Sequence, residues 1–273
     1  MIPTTNRIYL AALCLARAGL RIDSDKTYLL ESRLGPVARR EGFPSIEALI
    51  EKLRDGGDER LAWATVEAML LPEAEFFRDR RMFETLSGEV LPAMARAAGG
   101  RPLRIWSAAC GTGQEIYSLA MLLADAAGLG DRVELFASDL SERALEKAQA
   151  AAFSQFEVQR GLPARLLVRC FEKEGEAFVL SPRLRQMVRW RRVNLLDDVS
   201  ALGRFDVILC RNLLPQLAPE AKDRVLQSLS GALLPGGRLV LGPGEAAGRG
   251  LTAIDPAIGL HAAATGDDVR SAA

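Results

Sequence analysis

Residues 103 to 123 constrain the fold more than any other stretch. Leu103-Arg104-Ile105-Trp106-Ser107-Ala108-Ala109 is a short apolar run suited to a buried strand, and it breaks at Gly111 and Gly113. Ile116, Leu119, Ala120 and Leu123 then recur at i, i+3, i+4 and i+7, the spacing of one helix face. A strand, a glycine turn and a helix open many α/β units. The glycines let the backbone turn tightly and approach a ligand that a Cβ would exclude. Two glycines also occur in turns that hold nothing, so the rest of the chain has to decide.

Downstream, apolar strands and helices alternate. Val133–Asp139 reads as a second strand, followed by a helix that Ser141 caps. Phe205–Cys210 and Arg238–Gly242 are later strands, separated by a helix from Pro219 to Leu234 and the turn Pro235-Gly236-Gly237. Helices between buried strands imply an α/β fold with a mostly parallel sheet covered on both faces. The polar stretch between Phe153 and Arg192 is less regular; Phe178-Val179-Leu180 and Met187-Val188-Arg189-Trp190 read as short strands of an insertion.

Residues 1–72 read instead as a small all-α unit. Ile8, Ala12 and Leu15 form one apolar stripe, Leu30, Leu34 and Val37 a second, and Ile46, Leu49, Ile50 and Leu53 a third. Asp25 is placed to cap the second helix and Ser45 the third, and a fourth runs from Glu59 to Met69. The second helix carries Lys26, Arg33, Arg39 and Arg40, which serve either as a solvated face or as a dock for an acidic partner helix. Residues 73–102 read as a linker helix, and 103–273 as the sheet domain with an insertion at about 165–192.

Composition narrows the function. Lys+Arg and Asp+Glu balance at 35 each, so no overall field argues for nucleic acid or an anionic membrane. The apolar stretch Ile8–Ala16 is too short to span a bilayer and is not a convincing leader, so no membrane insertion is expected. Cys14, Cys110, Cys170 and Cys210 are scattered without CxxC spacing, which reads as reduced thiols in a cytoplasmic protein and no metal site. His261 is the only histidine, which removes multi-histidine metal centres and Ser-His or Cys-His hydrolases; it is expected at the surface or on an edge strand.

Ligands on such sheets bind beyond the carboxyl ends of the strands. The glycine turn lies at that end of the first strand. Asp139 closes the second, 26 residues after Gly113, where a carboxylate can take both hydroxyls of a ribose. Asn194 and Cys210-Arg211-Asn212 follow later strands, where amides can read an adenine edge or an amino-acid group. Each also has a plainer role, Asp139 ahead of the Ser141 cap and Asn212 in a turn. Together they favour a nucleoside-containing ligand. Gly-Thr-Gly-Gln-Glu lacks the third glycine of the dinucleotide motif and puts Glu115 where pyrophosphate would sit. A cationic ligand such as S-adenosylmethionine (SAM) suits that carboxylate better.

With these residues in hand, the chain resembles the CheR-type chemotaxis receptor methyltransferases, which esterify glutamate side chains using SAM. The similarity runs through Gly19-Leu20, Lys26, Tyr28-Leu29 and Ser32-Arg33-Leu34, then Phe76-Phe77-Arg78-Asp79, Arg104 to Ala109 and Thr112-Gly113-Gln114-Glu115 with Tyr117-Ser118. It continues through Ser138-Asp139-Leu140-Ser141, Gln155 to Pro163, Asn194-Leu195-Leu196 and Cys210-Arg211-Asn212. It implies a Rossmann-like class I SAM-dependent methyltransferase domain preceded by a small all-α domain. It also implies that Arg78, Gly111, Gly113, Glu115, Asp139, Asn194, Leu195, Arg211 and Asn212 hold the cofactor. The region 165–190 becomes a small β-subdomain, and the basic second helix, through Arg33 and Arg40, faces cytoplasmic helices of chemoreceptors. A glutamate carboxylate is already a nucleophile, so the chemistry needs placement and water exclusion more than acid–base help. Arg78 and Arg104 are candidates to orient that carboxylate.

Departures from the family pattern gather around the site. Pro72 and Ala74 stand where the family usually has Asn-x-Thr, and Gln216 stands where it usually has a tyrosine. Each lost hydrogen bond weakens binding by about 1 kcal/mol or more. Two functions therefore follow: an active carboxyl methyltransferase, or a SAM- or receptor-binding regulator with little or no transferase activity.

Overall fold

The computed structural model describes residues 2–22, 27–70, 74–126, 128–248 and 250–263. Asp25, Lys26 and Pro72 lie outside the described residues. Two compact units are present, one comprising 1–71 and 214–224, the other 72–213 and 225–273.

The first unit is helical: α1 (Thr4–Ala18), α2 (Thr27–Arg40), α3 (Ile46–Arg54) and α4 (Glu59–Met69). Ser45 caps α3 by accepting the Ala48 N–H, and Asp58 caps α4 by accepting that of Leu61. Leu30, Leu34 and Val37 are buried, as are Leu49, Ile50 and Leu53. On α1 the expected stripe is reversed. Leu10, Cys14 and Ala18 face the core, while Ile8 and Leu15 are 61% and 48% exposed. Both faces of this helix are apolar at helical spacing, so periodicity alone does not choose between them.

The second unit begins with residues that the sequence suggested as a linker. Instead α5 (Arg80–Thr85), a π turn at Leu86–Val90 and α6 (Leu91–Ala97) put Met82, Phe83, Leu86, Leu91 and Ala95 into the main core. Then follow β1 (Leu103–Ala108), α7 (Gln114–Asp125), β2 (Val133–Asp139) and α8 (Glu142–Ala150). After them come β3 (Ala152–Ser154), α9 (Gln155–Gln159), α10 (Ala164–Cys170), β4 (Phe171–Glu174), β5 (Ala177–Leu180), α11 (Pro182–Arg185) and β6 (Val188–Arg192). Next are β7 (Phe205–Cys210), α12 (Pro219–Gly231, whose residues up to Arg224 count with the first unit), β8 (Leu233–Leu241), β9 (Leu251–Asp255) and β10 (Leu260–Ala263).

Seven strands form the main sheet in the order β6-β2-β1-β7-β8-β10-β9. The first five run parallel, and β10 pairs antiparallel with both β8 and β9. β3, β5 and β4 make a separate antiparallel sheet. Two expectations change here. The run at Met187–Trp190 is not part of an insertion, because β6 is the outer strand of the main sheet. His261 lies on the interior strand β10, buried, with Nδ1 2.9 Å from the Gly259 carbonyl oxygen.

The amino ends of the strands are pinned by a buried carboxylate. Asp206 on β7 accepts both arms of the Arg101 guanidinium, at 2.8 and 2.6 Å, and the Arg104 backbone N–H at 2.9 Å. An Asp206→Ala substitution is expected to lower the urea midpoint by an amount equivalent to about 3 kcal/mol. Cofactor affinity is expected to be unchanged, because the site lies at the other end of the sheet. A loss below 1 kcal/mol would refute this role.

Candidate active site at the carboxyl ends of the strands

The glycine turn takes the shape that its sequence requires. Gly111 and Gly113 both have positive φ, 56° and 90°. A Cβ on Gly113 would lie 3.1 Å from the Ala148 Cβ and the Trp190 ring and 3.2 Å from the Tyr117 ring. Gly113 is the N-cap of α7, and the Gly111 N–H donates to Asp139 at 2.8 Å. The other oxygen of Asp139 accepts the Ser141 N–H at 2.9 Å. Asp139 thus joins the glycine turn to the start of α8. Ala74 sits against the same turn, its Cβ 3.5 Å from where a Gly111 Cβ would be.

Glu115, in the first turn of α7, accepts from the Ser107 hydroxyl at 3.0 Å through one oxygen and from Arg211 at 2.9 Å through the other. The sequence offered this carboxylate to a cationic ligand; in the fold its nearest cation is Arg211. Arg211 follows β7 and its side chain is 2% exposed. It also donates to the Arg78 carbonyl at 3.2 Å and pairs with the Asp79 carboxylate. Phe77 and Asp79, on either side of Arg78, have φ of 50° and 61°. Left-handed backbone costs about 1 kcal/mol or more at each such residue, so the turn persists because its neighbours hold it. Ser118 accepts the Phe77 N–H at 2.9 Å, and the Phe76 ring packs edge-on against Phe153 at 5.0 Å and Phe171 at 5.8 Å.

Asn194 and Leu195 come just beyond β6, whose Arg192 is in register with Asp139. The Asn194 side-chain oxygen accepts the Leu196 N–H at 3.1 Å, and Leu195 is buried. Asn212 has a φ of 64°, and a Cβ on Gly242 would come within 3.0 Å of its backbone and side-chain nitrogens. Arg78, Gly111, Gly113, Glu115, Asp139, Asn194, Leu195, Arg211 and Asn212 therefore gather at one end of the sheet.

Arg104 does not. It is the second residue of β1, about 13 Å of strand before the turn. Its guanidinium donates to the carbonyls of Arg204 and Leu202 and lies 4.5 Å from the Phe205 ring centroid. A catalytic assignment for Arg104 is thereby corrected; its contacts are structural. Conversely, Asp79, Ser107 and Ser118 emerge as supports that sequence reasoning passed over. Asp79 was visible in Phe-Phe-Arg-Asp, but nothing local marked it as the partner of Arg211.

Two family models match the chain in order. The all-alpha domain of CheR methyltransferases covers residues 9–69, and their SAM binding domain covers 72–253. This chain belongs to the CheR methyltransferase family. It is 38% identical over 248 residues to chemotaxis protein methyltransferase 1 of Pseudomonas aeruginosa, covering 88% of each chain. It is 33% identical over 246 residues to chemotaxis protein methyltransferase Cher2 of Pseudomonas putida, again covering 88% of each. Against chemotaxis protein methyltransferase 1 of Vibrio cholerae it is 36% identical over 236 residues, covering 84% of this chain and 85% of that one. The fold is the class expected, an all-α CheR domain followed by a Rossmann-like SAM methyltransferase domain.

The CheR site fits its cofactor on an observation of its own. The Arg211 Nε is buried and has no hydrogen-bond partner. A buried donor left this way costs about 1–3 kcal/mol, and SAM carries a carboxylate able to accept from it. SAM is the cofactor of this CheR chain, and the chain is a SAM-dependent methyltransferase. Among the described residues no group of three His, Cys, Asp or Glu is placed to hold a metal, and no helix is long and apolar enough to cross a membrane.

The four thiols are free and buried. Burial pushes Cys110 and Cys210 upward, helped by Asp139 and Glu115 for the first and by Glu245 and Glu115 for the second; burial raises Cys14 to about 12. Raised in this way, the Cys14, Cys110 and Cys210 thiols are expected to be poor nucleophiles in the fold. The folded protein at pH 8 is expected to leave Cys14, Cys110 and Cys210 unreacted with a thiol-exchange reagent, and guanidinium to expose all four cysteines. Their folded values exceed the unfolded one, so their contribution to stability is complete below pH ~9 and is lost as pH rises toward the folded values. Rapid reaction of Cys14, Cys110 or Cys210 in the folded chain at pH 8 would refute this.

Proposed function

We propose that this enzyme transfers a methyl group to glutamate side chains of chemoreceptors, forming methyl esters. One coincidence carries the reading. The SAM-binding family match spans the same residues that meet at the carboxyl ends of β1, β2, β6 and β7. Bound SAM supplies a methyl carbon made electrophilic by a positively charged sulfur.

The chain's own residues have three tasks. Arg211 offers its free Nε to an acceptor while Glu115 and Asp79 fix its orientation. Gly111 and Gly113 admit the ligand to the backbone, and Asp139, Asn194, Leu195 and Asn212 frame the nucleoside. Arg78, held on a turn stabilised by its neighbours, orients the acceptor carboxylate. No general base is required, because glutamate is ionised at neutral pH and its oxygen is the nucleophile.

In this proposal residues 1–72 recognise the substrate and act in the cytoplasm on receptor helices. Arg40 is exposed on α2 and shares Glu41 with Arg60. Arg33 is half-buried and donates to the Met69 carbonyl at 3.0 Å, so Arg40 contributes more to docking than Arg33. Gln216 belongs to the helical unit, where its carbonyl accepts the Arg21 N–H at 2.9 Å.

The test is a methylation assay with radiolabelled SAM and membranes holding chemoreceptors, alongside calorimetric titration of SAM. Cofactor binding with base-labile methyl counts in the receptor band is expected. Cofactor binding without any such counts would overturn the reading.

A further inference from the structure

The overall charge balance hides a local imbalance. Between Ala177 and Leu196 there are five arginines (Arg183, Arg185, Arg189, Arg191 and Arg192) and no aspartate or glutamate, in a chain whose formal net charge is zero. Most of this excess lies on one structural feature, the outer edge of the main sheet. β6 ends the strand order and pairs only with β2, and α11 leads into it.

The two faces of β6 differ. Val188 is buried, and the Trp190 ring lies 5.6 Å from that of Tyr117, so both point toward α7. The period of two sends Arg189 and Arg191 to the opposite face, about 7 Å apart. Both are exposed, as is Arg183. No hydrogen bond or ion pair engages the side chains of these three among the described residues. In the same unit some basic side chains find carboxylates, Arg101 with Asp206, Arg160 with Glu75, Arg169 with Asp125, Lys147 with Glu157 and Arg192 with Glu142, while Arg81, Arg96, Arg143 and Arg165 are exposed without one among the described residues. What sets Arg189 and Arg191 apart is their place: they share the outward face of an edge strand, inside a stretch of sequence that has no acidic residue. The patch also reaches the reaction end of the sheet, because Arg191 and Arg192 are in register with Ser138 and Asp139.

Charged side chains on an edge strand also discourage pairing with other strands, and any charge would serve that purpose. We propose that Arg189 and Arg191 form a docking surface for an acidic segment of the protein that carries the acceptor glutamate. This rests on the methyl-transfer reading above for the identity of the partner, not for the existence of the surface. A nucleic acid shares the anionic charge, but the one aromatic of β6, Trp190, is turned inward, leaving no ring on the strand for base stacking. Charge of this kind at the rim of a site acts on encounter and orientation, so it governs KM and salt dependence more than turnover.

The experiment compares the full chain with Arg189→Glu/Arg191→Glu, which keeps the edge charged, and with Arg189→Gln/Arg191→Gln. Binding of fluorescein-labelled poly-L-glutamate is followed by anisotropy at low salt, and receptor methylation is followed in parallel. The wild type is expected to bind poly-L-glutamate, the glutamine variant more weakly and the glutamate variant not measurably. For methylation the glutamate variant is expected to show a KM for receptor membranes raised about tenfold, with kcat and SAM affinity unchanged and a flatter salt dependence. Equal poly-L-glutamate binding by all three chains would overturn the proposal and leave only a strand-protecting role. Tighter, arginine-dependent binding of duplex DNA would overturn it in favour of nucleic acid. If the wild type transfers no methyl groups yet its poly-L-glutamate binding requires the arginines, the methyl-transfer reading fails and the acidic-partner surface stands.

Discussion

Gly161→Ala is expected to cost about 3–5 kcal/mol of stability and to weaken SAM binding at least tenfold. Gly161 has a φ of 81°, and a Cβ there would lie 1.9 Å from the Phe76 carbonyl oxygen and 3.0 Å from its carbon. Left-handed backbone alone costs alanine about 1–2 kcal/mol, and forcing an atom into packed structure adds typically 1–3 kcal/mol. The obstacle is backbone, so no side chain can swing aside. Phe76 cannot retreat easily either, since it is fully buried between the Phe153 and Phe171 rings. What moves is the turn that follows, Phe77-Arg78-Asp79, and with it two partners of Arg211. Gly175→Ala is the control: its φ is 59°, but nothing lies within 4 Å of the new Cβ. It should lose only about 1 kcal/mol and bind SAM as the parent does. Urea unfolding and calorimetry on both variants measure the difference. Equal losses would mean that Phe76 is not the obstacle.

How much of this was legible in sequence depends on the range of the interaction. The glycine turn, the Ser45 and Ser141 caps and the alternation of strands and helices are local patterns, and they fold as written. The stripe on α1 misled because Ile8, Ala12 and Leu15 compete with Leu10, Cys14 and Ala18, and only the rest of the unit selects the buried set. β6 is legible as a strand but reads as part of an insertion: an outer strand needs only one buried side, so Val188 and Trp190 alone carry its apolar signal and nothing local ties it to the main sheet. Arg104 misled for a geometric reason. Four residues are adjacent in sequence but span most of a strand, so closeness to a motif places a side chain at either end of the sheet. Asp79 was missed because its partner is 132 residues away, a separation that periodicity and spacing do not cross.

That long-range partner sets the second large effect. Arg211→Met is expected to abolish measurable SAM binding and to cost about 2–4 kcal/mol of stability, whereas Arg211→Lys should recover part of the stability and little of the binding. The argument turns on what each substitution leaves behind. Methionine fills similar volume but strands the Glu115 and Asp79 carboxylates without their shared cation, and breaking a buried pair typically costs 3–5 kcal/mol. Here the loss falls toward the lower end, because Asp79 is 39% exposed and water can serve it. Lysine restores the charge as a point. It cannot donate at once to Glu115, to Asp79 and to the Arg78 carbonyl while keeping a further N–H for the ligand, as the planar guanidinium does. Losing one charge-assisted hydrogen bond of about 1.5–3 kcal/mol weakens binding roughly 10- to 150-fold, and a displaced Arg78 turn adds to that. A thermodynamic cycle with Asp79→Asn separates the contributions. If Arg211 holds the turn through Asp79, the double variant should be more stable than additivity predicts, by about 1–2 kcal/mol, because neither charge is left alone. Strict additivity would remove Asp79 from the account and leave Arg211 with Glu115 alone.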